Sequence, residues 1–281
     1  MIGKSIKVWK HQLLLEFFFS KRTIGVLLIV GVYVFSAMAA ASDCAIELGV
    51  GSTPAGFVFL FNDFVCQTVL TVGFVFIMSS APFVGSNVLY VAGRSGLRAW
   101  ELGNMLYIVT AAFLYILFIT LASWLGLIRS FELSADWGVL WRTLAQTSYG
   151  LSYELPFSVS PFLVGKYSAS HAMLSTFLLE WLCYSLIGMT VYLLSRHVNR
   201  ILGLFAAGIL VFLDTLIYNA GFTALYRFSP VTLSQLGRYT RELTELGIRE
   251  GRSYLCMAAA IVFMLVTGLI CAPKEMDNEP N

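Results

Sequence analysis

Hydrophobic residues along the chain are gathered into six long stretches, separated by shorter segments that hold most of the charged residues. Each stretch is about as long as the roughly 20 apolar residues that a helix needs to cross a bilayer. The pattern therefore predicts an all-α polytopic membrane protein, with six transmembrane helices in one domain over residues 23–272. The predicted spans lie near residues 23–41, 56–83, 102–128, 171–195, 201–222 and 253–272.

The segment before the first predicted span is basic and amphipathic. Its lysines and arginines surround an apolar set at the three- to four-residue spacing of one helix face. We predict that residues 1–22 form an interfacial helix on the membrane surface rather than a cleaved signal peptide, because the basic stretch is long and no convincing cleavage site follows. The apolar set is Ile6, Trp9, Leu13 and Phe17.

Two long connections between predicted spans also carry helical patterns. Residues 129–170 contain tryptophans and leucines at helical spacing, which predict an amphipathic interfacial helix before the fourth span. In residues 223–252, Ser229 followed by Pro230 is typical of a helix start, and leucines on one side predict a second amphipathic helix before the sixth span. The residues that recur are Trp137, Trp141, Leu144 and Leu151 in the first connection and Leu233, Leu236, Leu243 and Leu246 in the second.

The composition excludes an ordinary soluble protein. Hydrophobic residues make up 58% of the 281-residue chain and charged residues only 12%, with a mean hydropathy of +0.78, whereas an average soluble domain is about 25% charged. Six spans leave no space for a large soluble domain, so we expect any catalytic domain to lie on another chain. The formal net charge of +2 provides no strong field to attract nucleic acid.

The distribution of basic residues favours an orientation with both termini in the cytoplasm. On the side of the membrane that holds the amino terminus, the segments next to the spans are short and basic. On the other side, the first connection, 42–55, has only Asp43 and Glu47 as charged residues. The last connection, 223–252, is the exception, because it is basic although predicted to lie outside. We place the polar tail, residues 273–281, in the cytoplasm.

The sequence holds no motif of an enzyme or a metal site. Gly3-Lys4-Ser5 matches the end of a phosphate-binding loop, but the strand and the earlier glycine that such a loop needs are missing. The five cysteines lack ligand spacing, and the three histidines fall on separate segments. We therefore expect no enzymatic activity, metal or cofactor in this chain.

A short, charged and partly helical loop at residues 88–104 joins the second and third predicted spans. Its arginines can make bidentate contacts with carboxylates, and its tryptophan can fill an apolar pocket on a partner. The alternative interpretation is that the loop only follows the positive-inside rule and carries an interfacial tryptophan. The residues predicted to dock are Arg94, Arg98, Trp100 and Glu101.

Two carboxylates, Glu180 and Asp214, fall well inside predicted spans, whereas Asp63 lies near the outer end of the second span and is predicted to be interfacial. A charged carboxylate in hydrocarbon costs several kcal/mol, and no lysine or arginine lies within a predicted span to pair with either. Each must therefore be protonated, face water or be hydrogen-bonded. They are candidates for a proton relay or for a polar contact with a transported substrate, and helix–helix adhesion through Tyr, Ser or Thr partners is the alternative.

Taken together, these features resemble the permease subunits of type-2 ABC exporters, in particular small bacterial permeases encoded apart from their ATPase. The resemblance covers nearly the whole chain and is architectural. In that family the amino-terminal helix is the connecting helix, and the loop that corresponds to residues 94–104 contains the coupling helix that contacts the nucleotide-binding subunit. The segments at 156–161 and 229–247 would match membrane-dipping pieces that cap the translocation path.

The resemblance implies an ATP-driven exporter in a bacterial plasma membrane. Two permease subunits, identical or related, would enclose a path in the lipid bilayer, and separate ABC ATPase subunits would bind ATP and Mg²⁺. The cargo stays open between an antimicrobial peptide, a drug and a lipid-like molecule. Besides the two carboxylates, the residues that would face the path are Phe59, Phe74, Phe76, Tyr218 and Asn219.

Two other function classes stay open on the sequence. An ion-coupled secondary transporter would use Glu180 or Asp214 as its protonation site and would work without ATP. A non-transporting scaffold subunit would tolerate substitutions in the loop at 88–104 and would show no transport with any ATPase.

Overall fold

The structure, a computed structural model, describes residues 2–83, 95–147, 149–240 and 242–271. Within these ranges the chain is all-helical and contains no β-strand. Short π-helical and 3₁₀ turns lie at Leu13–Phe18, Thr223–Phe228 and Leu236–Thr240. The helices are α1 (Ile2–Gln12), α2 (Lys21–Glu47), α3 (Gly56–Asn62), α4 (Phe64–Met78), α5 (Leu97–Gly126), α6 (Gly138–Gln146), α7 (Tyr149–Ser152), α8 (Pro161–Lys166), α9 (Ala169–His197), α10 (Arg200–Ala220), α11 (Pro230–Ser234), α12 (Glu242–Glu245) and α13 (Glu250–Cys271).

Five of these helices, α2, α5, α9, α10 and α13, are long and apolar enough to cross a membrane. The helices α3 and α4 pass the same test as a pair and make a sixth span if they are counted together. The prediction of an all-α chain with several membrane spans is therefore confirmed at the level of five to six candidate spans in the described residues. The predicted span at 56–83 is not one straight helix, because α3 and α4 are bent by 87°.

The bend between α3 and α4 is built from Asn62 and Asp63. Asp63 adopts an extended conformation and caps α4, where its Oδ1 accepts hydrogen bonds from the backbone N–H groups of Val65 (3.0 Å) and Cys66 (3.2 Å). The Asn62 side chain donates to the carbonyl of Val58 at 2.7 Å. Short polar side chains compete for backbone groups and favour helix ends. These two in succession therefore end one helix and start the next.

Among the five single-helix spans, α5 and α9 are the most buried and α13 is the least buried. At one end of the bundle α1 packs along the beginning of α5, where Trp9 Nε1 donates to Thr110 Oγ1 at 3.0 Å. A Cβ atom at Gly103 would come within 2.6 Å of Val8, so glycine is what allows α1 to approach α5 closely. We call this end the α1 end. The other, which holds the end of α10 and the beginning of α13, is called the opposite end.

The predicted amphipathic segments are helical only in part. In α1 the buried face consists of Ser5, Val8 and Gln12, and Ile6 points away from the protein. In the connection before α9, Trp137 and Trp141 are buried against the bundle instead of exposed at an interface. The predicted long helix of residues 230–247 is three short pieces: α11, a 3₁₀ turn and α12.

Candidate functional site

A series of buried polar side chains crosses the half of the bundle toward the opposite end, and it includes both carboxylates predicted inside spans. Glu180 on α9 is 0% exposed and Asp214 on α10 is 1% exposed. They are connected through Gln67 on α4 and through two residues that follow α11. We call this set the carboxylate network. It consists of Gln67, Glu180, Asp214, Gln235 and Arg238.

At one end of the network, Glu180 is buried without a matching charge. Its Oε1 accepts a hydrogen bond from Gln67 Nε2 at 2.9 Å, and its Oε2 has no hydrogen-bond partner among the described residues. None of the salt bridges between described residues involves Glu180. The same Gln67 amide also donates to Ser234 Oγ at 3.0 Å. Neutral groups alone, the Gln67 amide and the neighbouring Ser234 hydroxyl, therefore surround this carboxyl group, and its Oε2 makes no hydrogen bond to the described residues.

At the other end of the network, Asp214 is fully matched. Its Oδ2 accepts from Arg238 Nη2 at 2.9 Å, and its Oδ1 accepts from Thr232 Oγ1 at 2.6 Å. Arg238 also donates to Glu242 and lies over the ring of Tyr226, 5.6 Å from its centroid. Burial opposes the charge on Arg238, but the carboxylates of Asp214 and Glu242 outweigh it. The pKa of the guanidinium is therefore raised above its usual value.

Two amide side chains complete the connection between the carboxylates. Arg238 Nε donates to Gln235 Oε1 at 2.8 Å, and Gln235 Nε2 donates to Gln67 Oε1. An arginine cannot be deprotonated in a protein, and an amide is a donor and acceptor rather than an acid. The contacts from Asp214 to Glu180 therefore fix side-chain orientation and do not form a proton relay between the two carboxylates.

The network attaches the residues after α10 to three spans. Ser229 caps α11, because its hydroxyl accepts from the backbone N–H of Thr232 at 3.2 Å, and Pro230 occupies the first helical position. This confirms the predicted start of that helix. The backbone N–H of Gly237 donates to Asn62 Oδ1 at 2.5 Å, so the bend between α3 and α4 holds the same segment. A Cβ atom at Gly237 would come within 2.9 Å of this oxygen.

A second buried cluster lies at the α1 end and contains two of the four residues predicted to dock onto a partner. Trp100 and Glu101 are 2% and 0% exposed. The carboxylate of Glu101 accepts from Arg196 Nε at 3.0 Å and from the Tyr192 hydroxyl at 2.5 Å. The guanidinium of Arg196 lies 5.3 Å from the Trp100 ring centroid. In this structure Trp100 and Glu101 are therefore internal contacts and present no surface to a partner.

Of the other two residues predicted to dock onto a partner, the structure describes Arg98 but not Arg94. Arg98 is exposed on the first turn of α5. Arg94 lies outside the described residues, as does most of the loop before it. Among the described members of the predicted docking element, Arg98 is thus the exposed one.

The aromatic residues predicted to face a path divide between the interior and the surface of the chain. Phe59 is buried, with its ring centroid 5.1 Å from that of Trp141, and Phe74 stacks on Tyr184 at 5.2 Å. These contacts are ordinary core packing. Phe76, Tyr218 and Asn219 are exposed. The five candidates therefore do not share one surface.

Sequence reasoning missed the three residues that connect the carboxylates. Gln67 had a visible signal, since it is a strongly polar residue inside the apolar run of α4. Gln235 and Arg238 had none, because they belong to an outer segment whose return into the bundle is a tertiary event.

The described residues provide no sign of a metal centre, since they contain no group of three or more His, Cys, Asp or Glu side chains placed to hold an ion. Comparison with known proteins adds no further constraint on the site. No protein-family model, curated protein or solved structure matches the chain.

Proposed function

We propose that this chain is the permease subunit of an ATP-driven exporter of the type-2 ABC class, located in a bacterial plasma membrane with both termini in the cytoplasm. A second permease subunit would complete the path, and separate ATPase subunits would bind and hydrolyse ATP. The observation that carries the proposal is the difference between the two ends of the bundle. The α1 end combines a surface helix with an exposed arginine at the start of α5, and the opposite end has a segment held into the bundle by buried polar contacts.

The α1 end supports the ATPase-coupling part of the proposal. Lys4, Lys7 and Lys10 are exposed on α1, which lies against the beginning of α5. Arg98 is exposed on the first turn of α5, the helix along which this basic helix packs. A carboxylate-bearing partner on that side would meet several cations at once. The ion pair of buried Glu101 and half-buried Arg196 links the start of α5 to the end of α9, and it would transmit a displacement of one to the other.

The opposite end supports the path-closing part of the proposal. The segment at residues 229–240 is bound through the carboxylate network to α4, α9 and α10. Because these contacts are directional and buried, the segment is held in a defined position between the spans instead of lying loosely on the surface. We propose that this segment closes the path at this end and moves out of its position between the spans when the subunit opens.

The decisive experiment is to express the tagged full-length chain together with its neighbouring genes and to purify it in mild detergent. We expect a stoichiometric ATPase subunit and vanadate-sensitive ATP hydrolysis. Arg98→Glu should reduce recovery of the ATPase subunit by about tenfold, the effect of losing a charge-assisted contact. Arg129→Glu is the matched control, because it reverses an exposed arginine at the opposite end. A lone chain without ATP hydrolysis would refute the exporter assignment.

The unpartnered Oε2 of Glu180 favours a second candidate, an ion-coupled transporter that uses Glu180 alone. Asp214 is a poor candidate for that role, because Arg238 and Thr232 already satisfy both of its oxygens. The test is proton-coupled transport by the purified chain in vesicles without ATP, measured for the parent and for Glu180→Gln. Transport that the substitution abolishes would support this candidate, and retained coupling would remove it.

A further inference from the structure

A cavity of about 260 Å³ lies at the opposite end, between the residues that follow α10 and the beginning of α13. Its polar lining includes Arg227, Arg252 and Ser253, and its apolar lining includes Phe228, Leu246 and Cys256. It is separate from the carboxylate network, none of whose five residues lines it. The cavity thus combines two cations with an apolar wall at the end of a candidate membrane span.

The two arginines that line the cavity have no counter-charge within the described residues. Arg227 Nε donates to the carbonyl of Ala224 at 2.8 Å, which orients the guanidinium, and no described hydrogen bond or salt bridge uses its terminal nitrogens. Arg252 takes part in none of the salt bridges between described residues. The nearby acid Glu250 is engaged elsewhere, with the Ser175 hydroxyl at 2.6 Å. Two like charges on one cavity favour an anion between them.

The hydroxyl group in the cavity wall is not open to a ligand. Ser253 lines the cavity, but it is 1% exposed and its hydroxyl interacts with that of Tyr239 inside the protein. The polar groups that a ligand in the cavity meets are therefore the two guanidinium groups.

The surroundings of the cavity select an amphiphile over a small ion. Arg252 is in the first turn of α13, so the cavity opens where that candidate span enters the membrane. Three and four residues further along α13, Leu255 and Cys256 are exposed, and Phe263 is exposed two turns later. Residues at this spacing share one helix face. An apolar strip therefore leads from the arginines along the span, as an acyl chain would run.

We propose that this cavity binds an anionic phospholipid, with the headgroup phosphate between Arg227 and Arg252 and an acyl chain along α13. The cavity is smaller than a whole lipid, so the headgroup and the first methylenes occupy it while the rest of the chain lies on α13. This assignment is independent of the transport function proposed above.

The test uses the delipidated full-length chain in detergent and measures bound lipid by native mass spectrometry. The probes are dioleoylphosphatidylglycerol, dioleoylphosphatidylcholine and inorganic phosphate. We expect the doubly substituted Arg227→Gln/Arg252→Gln protein to bind the phosphatidylglycerol at least about tenfold more weakly, with phosphatidylcholine binding unchanged. The control is Arg142→Gln/Arg249→Gln, which removes the same charge from exposed residues that do not line the cavity.

A second variant keeps the charges and fills the cavity. Cys256→Trp should also weaken phosphatidylglycerol binding, and a thermal melt of each variant checks that the protein is folded. Equal weakening by the two double substitutions would overturn the proposal in favour of general surface charge. Competition by inorganic phosphate as strong as that by the lipid would overturn it in favour of a simple phosphate site. Unchanged lipid binding by Cys256→Trp would also overturn it.

Discussion

Glu101 and Glu180 are two fully buried glutamates in the same bundle, one at each end, and their surroundings differ in charge. Glu101 has a guanidinium on one carboxylate oxygen and a tyrosine hydroxyl on the other. Glu180 has a single amide donor on one oxygen and no partner among the described residues on the other. Both residues are 0% exposed, so burial does not separate them. Their contacts do.

The difference indicates what each glutamate can do. A buried carboxylate with a counter-charge and a donor on each oxygen is part of the framework, because losing either partner leaves a charge in a low-dielectric interior. A buried carboxyl group with an unpartnered oxygen stabilises nothing through that oxygen, and it is the group that the proposed ion-coupled transporter would use. Asp214 resembles Glu101 in this respect, although it lies at the same end as Glu180.

The largest effect on the free energy of unfolding is expected when Asp214 loses its counter-charge and is left, like Glu180, without a cation among the described residues. Arg238→Met removes the guanidinium that contacts Asp214, Gln235 and Glu242. We expect a loss of about 4 kcal/mol in the free energy of unfolding, because a buried charge is left without its partner. Equilibrium unfolding in mixed micelles of SDS and a mild detergent would measure it. Arg249→Met, an exposed arginine of the same region, is the control. Equal small effects of both substitutions would contradict the comparison.

A slightly smaller effect is expected at the α1 end. Arg196→Met removes the counter-charge of Glu101 but leaves the Tyr192 hydroxyl in place. We expect a loss of about 3 kcal/mol, measured by the same unfolding assay. The double variant Arg196→Met/Glu101→Gln should lose less than the sum of the two single variants, since the amide needs no counter-charge.

A matched variant at the same end of the bundle checks this expectation. Arg200 is exposed and donates from its Nε to the carbonyl of Ser79 at 2.9 Å. Arg200→Met should therefore cost less than about 1 kcal/mol, as for other exposed charges. A loss as large as that of Arg196→Met would mean that the assay reports loss of basic charge at this end rather than the buried pair.

The part of the fold that depends on the length of the apolar stretches could be predicted from the sequence. The predicted spans near 23–41, 102–128, 171–195, 201–222 and 253–272 correspond to long apolar helices. The bend at Asn62 and Asp63 was missed, because two short polar residues inside an apolar run favour a helix end locally but define a bend only when other segments also bind them. Here Gly237 and Ser158 do so through their backbone N–H groups.

Only part of the candidate site could be predicted from the sequence, for a related reason. The two carboxylates stood out as charges in apolar runs, but their partners did not. The cation that pairs with Asp214 comes from Arg238, which returns into the bundle from an outer segment. The docking residues show the reverse case. Trp100 and Glu101 had the composition of a surface contact, yet Arg196, almost a hundred residues later, holds them inside.

The smallest effect, and the sharpest use of the comparison, is expected for Glu180→Gln. The amide has the shape of the carboxyl group, its oxygen can still accept from Gln67, and the second atom stays as unpartnered as Oε2 is now. We expect a change of less than about 1 kcal/mol in the free energy of unfolding. The matched substitution Glu101→Gln should cost about 2 kcal/mol, because it removes the charge that Arg196 faces. Equal losses in the two variants would show that Glu180 is held as an anion, and the division between a framework glutamate and an available one would then be wrong.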